Sequence, residues 1–157
     1  MKTLILYASK TGTTEKCAEI LRDKIKDATI QDLSLKQIDP SPYDLIIIGG
    51  SIRMGQLHKE VRKYLKNYKD ILLNKKVAYF ICSIEIDKIE PYFEQIDKSL
   101  LNKAITYDSF GGELDLEKQS GLDKLVIKII SKQKEQINTG ILENRIDQFI
   151  SKLMKDE

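Results

Sequence analysis

Residues 4–14 read LILYASKTGTT, and this stretch decides the fold. Four largely apolar residues (4–7) run into a short loop of hydroxyl side chains, one lysine and one glycine, after which a helical apolar pattern begins. A buried strand that enters such a turn at a helix N-terminus is typical of a phosphate site. The first backbone N–H groups of a helix lack carbonyl partners, and the helix dipole favours an anion. The predicted phosphate-binding residues are Ser9, Lys10, Thr11, Gly12, Thr13 and Thr14.

The spacing of this loop is more specific than a strand followed by a helix. From Ile5 it reads apolar, apolar, aromatic, any, Ser/Thr, any two, small, any, Thr, any three, Ala, any two, apolar, and it ends at Leu21. This pattern resembles the flavodoxin family, in which the loop wraps the terminal phosphate of FMN. The GxxxxGK[ST] and GxGxxG phosphate loops of other nucleotide-binding proteins are both absent. An ordinary turn with a threonine cap is the alternative, and a solvated lysine is the alternative for Lys10.

Length and charge limit the possible classes of protein. The chain has 157 residues, 26 basic and 24 acidic, and 41% of its residues are hydrophobic, so we predict one domain over 1–157. The lysines are interspersed with acids, which excludes a nucleic-acid footprint. No apolar run approaches the ~20 residues of a transmembrane helix, and a strand begins at once after Met1, so we expect a cytoplasmic protein. Cys17 and Cys82 lack metal-ligand spacing, and we expect buried, reduced thiols and no metal site.

Apolar runs and helical patterns alternate along the chain. We predict strands over 2–8, 29–33, 43–48, 76–82 and 104–110, and helices over 14–26, 57–72, 89–101, 122–133 and 140–153. Five strands that alternate with helices predict an α/β fold, a doubly wound parallel sheet in the flavodoxin-like order 2-1-3-4-5. In such sheets the ligand lies beyond the carboxyl ends of the first and third strands.

A second loop follows the third predicted strand and reads GGSIRMGQLH over residues 49–58. We expect Gly49 and Gly50 to end that strand. In flavodoxin-like proteins this loop lies along one face of the isoalloxazine ring, and a peptide there can flip with redox state. Glycines at these positions favour such a flip because they tolerate positive φ, although a simple strand-end turn is an equal alternative. The residues implied to contact the cofactor are Gly50, Ser51, Ile52, Arg53, Met54 and Gly55.

A third loop follows the fourth predicted strand. The family resemblance implies that Ser83, Ile84 and Glu85 meet the pyrimidine edge of the flavin. Residues 111–113, two glycines and Glu113, are expected at the rim. Farther along the chain, an apolar stripe over 122–130 predicts a core helix, and its lysines leave a peripheral membrane contact open. These lysines are Lys124, Lys128 and Lys132.

A narrower resemblance rests on residues 49–58 and on the first residues of the chain. The bacterial flavodoxin-like protoporphyrinogen IX dehydrogenases typically begin MKTLIL and carry G-x-SIR-aromatic-G-x-x-H at the second loop. They pass hydrogens from the porphyrinogen through FMN to a quinone. This chain departs from that pattern at Met54, where an aromatic residue is usual. It also lacks the longer basic and aromatic insertion that accompanies quinone and membrane coupling in the family.

No side chain is an obvious catalytic base. Arg53 is a candidate for binding a substrate carboxylate or the N1–C2=O edge of reduced flavin, with a surface helix-capping arginine as the alternative. His58, the only histidine, is a candidate proton shuttle, with a plain exposed histidine as the alternative.

The sequence therefore predicts an FMN-binding oxidoreductase, and the narrower resemblance implies protoporphyrinogen IX as its substrate. Its expected partners are a redox partner protein, a quinone or a porphyrinogen. The alternative is a flavodoxin electron carrier, although such carriers are usually strongly acidic and this chain has a net charge of +2. A receiver-type signalling domain would need acidic Mg²⁺ ligands where Ser9, Gly49 and Gly50 lie, so we set that class aside.

Overall fold

The chain forms a twisted sheet in a computed structural model that describes residues 1–113 and 140–155. The strands are β1 (Thr3–Ala8), β2 (Ala28–Asp32), β3 (Leu45–Arg53), β4 (Gln56–Leu57), β5 (Lys76–Cys82) and β6 (Tyr107–Ser109). The helices are α1 (Thr13–Lys24), α2 (Lys59–Asn67), α3 (Lys69–Leu72), α4 (Glu90–Phe93), α5 (Lys98–Asn102) and α6 (Glu143–Lys155). Parallel pairs give the order β2-β1-β3-β5-β6, which confirms the predicted order of five strands. The short β4 was not predicted, and it pairs with β3 in the antiparallel sense.

The three central strands are buried on both faces, as their continuous apolar sequences require. Successive side chains alternate between two core layers. One layer packs Leu6 and Ile48 against Tyr64 of α2. The other packs Ile47 against Leu21 of α1 and Phe149 of α6. The edge strand β2 is only half-buried, which is why its apolar pattern is weak.

The prediction that Gly49 and Gly50 end the third strand is wrong, because β3 continues to Arg53. Both glycines are buried within the sheet and serve packing. A Cβ on Gly49 would lie 1.9 Å from Cζ of Phe80, its partner on β5, and one on Gly50 would lie 2.9 Å from the side chains of Leu57 and Val61. The Phe80 ring therefore lies across Gly49, where it also stacks on Phe110 at a centroid distance of 4.9 Å.

Two predicted helices are each divided. The predicted helix over 57–72 is α2 and α3, separated by Tyr68 with φ −113° and ψ 16°, while Leu57 belongs to β4. The predicted helix over 89–101 is α4 and α5, because Asp97 is extended and its carboxylate accepts a hydrogen bond from the Ser99 N–H at 2.9 Å. This carboxylate is a local N-cap that starts a new helix.

Other predicted boundaries shift by a few residues. The fifth predicted strand shortens to β6, since the Ala104 N–H bonds back to Leu101. The last helix begins at Glu143, because Ile141 forms a β-bridge with Gly111. The predicted helix over 122–133, with its lysines, lies outside the described residues. The single domain over 1–157 stays a prediction.

The expected burial of the two thiols is confirmed, and they are in contact. Cys17 of α1 and Cys82 of β5 lie 65 positions apart, yet the Cys82 Sγ donates to the Cys17 Sγ at 3.6 Å. This contact and burial raise the pKa of the Cys17 thiol strongly. A protonated Cys17 thiol is a poor nucleophile, and its contact with Cys82 packs α1 against the sheet.

We expect Gly49→Ala to lower the free energy of unfolding by about 2 kcal/mol, because the new methyl group overlaps the Phe80 ring. Urea unfolding measured by circular dichroism checks this. In Gly49→Ala/Phe80→Leu the smaller side chain makes room, so the double variant should be more stable than the sum of the single changes allows. Simple additivity of the two single changes would contradict the contact.

Candidate functional site

Three loops meet at one edge of the sheet because their strands are parallel neighbours. The β1–β3 register ends at the Ala8–Gly50 pair, and the β3–β5 register ends at the Ser51–Cys82 pair. The segments that follow these residues therefore leave the sheet side by side. They enclose a cavity of about 380 Å³, which we call the main cavity. Its lining is Lys10, Thr11, Thr13, Thr14, Ser51, Ile52, Arg53, Met54, Gly55, Cys82, Ser83, Ile84, Glu85, Tyr92, Gly112 and Glu113.

The first loop is shaped for close approach to the start of α1. Gly12 has φ 100° and is the N-cap residue, so no side chain caps the helix. The Gly12 N–H donates to the Ser9 Oγ at 2.9 Å, which fixes the turn internally. The hydroxyl of Thr14 is buried in the cavity wall, and no group in the described part of the chain bonds to it. The cavity is thus lined by the first residues of an uncapped helix, and one of them carries an unsatisfied hydroxyl.

A carboxylate lies at the rim of this end of the cavity. Glu113 Oε1 forms an ion pair with the Lys16 Nζ at 3.0 Å and accepts a long hydrogen bond from the Thr13 hydroxyl at 3.5 Å. The expected rim position of Gly112 and Glu113 is therefore observed. Gly111 supports the rim from outside the lining, with φ 81° and no room for a Cβ beside the Gly140 carbonyl oxygen.

The second loop is a β-hairpin made by β3 and β4. Arg53 pairs with Gln56, and the two residues between them, Met54 and Gly55, have φ 53° and 75°. Two positive φ values in a two-residue loop are typical of a type I′ turn. Positive φ costs a residue with a side chain about 1–2 kcal/mol, so Met54 is strained, and it is 54% exposed. The positive-φ peptide of this loop is therefore at 54–55 and not at 49–50.

Two residues that sequence reasoning missed hold the rim of the cavity. Gln95 clamps the hairpin: its Nε2 donates to the Gly55 carbonyl at 2.7 Å, and its Oε1 accepts from the Leu57 N–H at 2.8 Å. Tyr92 lines the cavity, and its hydroxyl donates to Glu85 at 3.0 Å. Since Gln95 lies about 40 positions from the hairpin, no local motif marks it.

The third loop, residues 83–85, forms another part of the wall of the main cavity. The Ser83 N–H donates to the Gly111 carbonyl at 3.0 Å, and the Glu85 N–H donates to the Ser83 Oγ at 3.2 Å. The loop is thus fixed to residues near 111 and to itself. All three residues predicted here line the main cavity.

Most of the predicted cofactor contacts line the main cavity, with three exceptions. Ser9 and Gly12 are joined by a hydrogen bond within the first loop and do not line the cavity, and Gly50 packs against α2. Arg53 is exposed and lines both the main cavity and a neighbouring one.

His58 lies outside the main cavity. It is the N-cap of α2, and its Nδ1 accepts a hydrogen bond from the Glu60 N–H at 3.2 Å. Burial lowers the pKa of the imidazole, as do the charges of Lys59 and Lys10, while Glu60 and Asp32 oppose them. His58 is therefore held in its neutral, accepting form, and a proton-shuttle role stays a prediction.

Comparison with known protein families matches residues 4–139 to the family described as flavodoxin domain. This chain belongs to the flavodoxin family. The resemblance drawn from the first loop is thereby confirmed.

Relatives and solved structures of this flavodoxin agree with that assignment. It is 28% identical over 144 residues to protoporphyrinogen IX dehydrogenase (quinone) of Escherichia coli strain K12, covering 84% of this chain and 80% of that protein. It is 33% identical over 84 residues to the flavodoxin-like domain-containing protein BilS of Clostridioides difficile strain CD3, covering 51% and 46%. This flavodoxin therefore matches about half the length of BilS.

A crystal structure of a Lactobacillus acidophilus NCFM flavoprotein in complex with FMN shares the fold. Its TM-score is 0.54 at 23% identity, with 70% of this flavodoxin and 90% of that chain covered. Within residues 1–113 and 140–155, no helix is long and apolar enough to cross a membrane.

We expect the stability of this flavodoxin to fall between pH 7 and pH 5 because of His58. Its lowered pKa means that the unfolded chain binds a proton in this range more readily than the native state. His58→Asn keeps an acceptor at the N-cap but does not titrate, so its free energy of unfolding should fall less. Urea midpoints at both pH values check this.

A second variant isolates the cap. His58→Ala should lose about 1 kcal/mol at pH 7, where the imidazole is mostly neutral in both states. An equal loss between pH 7 and pH 5 in the wild type and in His58→Asn would show that other groups carry the pH dependence.

Proposed function

We propose that this flavodoxin binds FMN in the main cavity and acts as an FMN-dependent oxidoreductase. The observation that carries the proposal is that Thr14 and Ser51 line this cavity, and that their buried hydroxyls have no hydrogen-bond partner among the described residues. A buried hydroxyl without a partner destabilises a protein, so its retention at a cavity wall favours a polar ligand. The FMN in the solved Lactobacillus relative supports this choice of cofactor.

The α1 end of the cavity fits a phosphate. Thr11, Thr13 and Thr14 line this end and offer hydroxyl donors, and the start of α1 adds uncapped N–H groups and its dipole. Lys10 adds a positive charge. Glu113 does not oppose a phosphate fully, because Lys16 already compensates its charge.

The other end fits a planar, largely apolar ring. Ile52 and Met54 line it from the hairpin, and Ile84 and Tyr92 line it from the third loop and α4. Bound FMN supplies two-electron redox chemistry, and the protein supplies binding, orientation and electrostatics. Arg53 would stabilise negative charge at the ring edge or on a substrate carboxylate. Gln95 would keep the hairpin wall in place.

The proposed reaction is oxidation of protoporphyrinogen IX, with a quinone as acceptor. It is supported by the name of the Escherichia coli relative and by the apolar lining beside Arg53. The second candidate is an electron carrier between protein partners, which family membership and the exposed Met54 at the hairpin tip favour. A peripheral membrane contact and a cytoplasmic location stay predictions.

Thr14→Val tests the cofactor site through two effects of opposite sign. Removing the unsatisfied hydroxyl should leave the free energy of unfolding of the cofactor-free protein unchanged or raise it by up to about 1 kcal/mol. It should also weaken FMN binding about tenfold or more, because a hydrogen bond to a charged group is lost. Fluorescence titration with FMN and urea unfolding measure the two quantities.

Thr3→Val is the matched control. The Thr3 hydroxyl is also buried and unpartnered within the described residues, but it lies at the opposite end of β1. This variant should have the same effect on stability and no effect on FMN affinity. Equal FMN affinity in Thr14→Val and the wild type would count against the phosphate assignment.

Anaerobic mixing distinguishes enzyme from carrier. Protoporphyrinogen IX should reduce the FMN of the loaded protein, an added menaquinone analogue should accept those electrons, and porphyrin fluorescence should rise as the quinone is reduced. A carrier would instead accumulate a stable one-electron state during reductive titration and would not react with the porphyrinogen. The cofactor-free protein with an equal amount of porphyrinogen is the blank.

A further inference from the structure

A second cavity of about 290 Å³ lies between the hairpin and the N-terminus of α2. We call it the basic cavity. Its lining is Lys10, Ser51, Arg53, Gln56, Leu57, His58, Lys59 and Arg62. Three of these residues, Lys10, Ser51 and Arg53, also line the main cavity, so the two spaces share a wall.

The lining of the basic cavity carries four permanent positive charges and no acidic side chain. Lys59 and Arg62 are three positions apart on α2, so they project from neighbouring points of one face. Glu60 and Asp32 are near enough to influence the pKa of His58, but neither lines the cavity. Within residues 1–113 and 140–155, no acidic side chain forms an ion pair with Lys59 or Arg62.

Polar groups that bear no charge add to this site. Ser51 presents a buried hydroxyl without a partner in the described residues, and it stands in the wall between the two cavities. His58 is neutral and caps α2, so it adds no charge. The α2 N-terminus contributes a favourable dipole for an anion. The cations, the hydroxyl and the dipole thus favour the same kind of ligand.

We infer that the basic cavity is a second anion subsite, which binds a carboxylate group of the small-molecule electron donor and orients that molecule beside the flavin. This inference rests on the proposed function, whose substrate class it specifies. A concave site suits a small molecule better than the flat acidic patch of a protein partner. Arg62 is suited to bidentate contact with a carboxylate, and Lys59 acts as a point charge.

The test removes the two charges that belong to the basic cavity alone. Lys59→Gln/Arg62→Gln leaves the main cavity intact, and both side chains are exposed, so folding should be unaffected. Lys63→Gln/Lys66→Gln removes the same charge from exposed positions of α2 outside the cavity lining and is the matched control. Calorimetry of the FMN-loaded proteins with benzenehexacarboxylate measures binding of a small polycarboxylate, and octaglutamate represents an acidic protein segment.

We expect the first variant to weaken binding of benzenehexacarboxylate about tenfold or more, and the control variant to weaken it less than about twofold. Equal weakening in both variants would overturn the inference, since it would report only the general charge of the helix. Binding of octaglutamate without binding of benzenehexacarboxylate would assign the surface to a protein partner and also overturn it. No binding of either probe to the wild-type protein would do the same.

FMN affinity separates failure of this inference from failure of the proposed function. The Lys59→Gln/Arg62→Gln variant should bind FMN within about twofold of wild type, because neither residue lines the main cavity. Wild-type protein that does not bind FMN would overturn the proposed function. Normal FMN binding with unchanged benzenehexacarboxylate affinity would overturn the subsite alone.

Discussion

The parallel pairing of β1, β3 and β5 is the constraint on which the rest of the structure depends. Parallel strands end at the same edge of a sheet, and here the registers place Ala8 beside Gly50 and Ser51 beside Cys82. The chain must leave each strand at this edge without clashing with its neighbours. The helix start, the hairpin and the third loop are three solutions to that one problem, and the cavity is the space that they leave. The site is therefore a product of topology before any side chain is considered.

Packing inside the sheet explains why the hairpin begins where it does. Phe80 covers Gly49 and stacks on Phe110, whose ring meets Phe149 edge-on at 5.1 Å, so α6 is tied to the sheet centre through three aromatic rings. A larger residue at Gly49 would displace this stack. Because both glycines continue β3, the turn moves out to Met54 and Gly55. Core packing thus decides how far the loop projects over the cavity.

Local patterns in the sequence were sufficient for the order of the five parallel strands and for the position of the first loop, because strand burial and helix starts depend on neighbouring residues. The prediction that the third strand ends at Gly49 and Gly50 was wrong because glycine occurs both in turns and where side chains pack closely against the backbone. Only the position of Phe80, 31 residues later, distinguishes these two roles. The same limit applies to Gln95, which holds Gly55 across 40 positions. Asp97 is different, because its carboxylate accepts a hydrogen bond from the N–H of Ser99, only two residues later. This helix N-cap could have been predicted from the local sequence. Features that depend on contacts between distant parts of the chain were therefore not predicted from the sequence.

The unsatisfied hydroxyls connect stability with binding. Four buried side-chain oxygens among the described residues lack partners, and two of them, on Thr14 and Ser51, line the main cavity. Each raises the free energy of the cofactor-free protein, and a ligand that bonds to them removes this penalty. Binding and stability are then linked, because a cofactor that binds only the native state stabilises it by an amount that grows with the logarithm of its concentration relative to its dissociation constant. Ser51 also lines the basic cavity, so the wall that the two cavities share contains one of these unsatisfied hydroxyls.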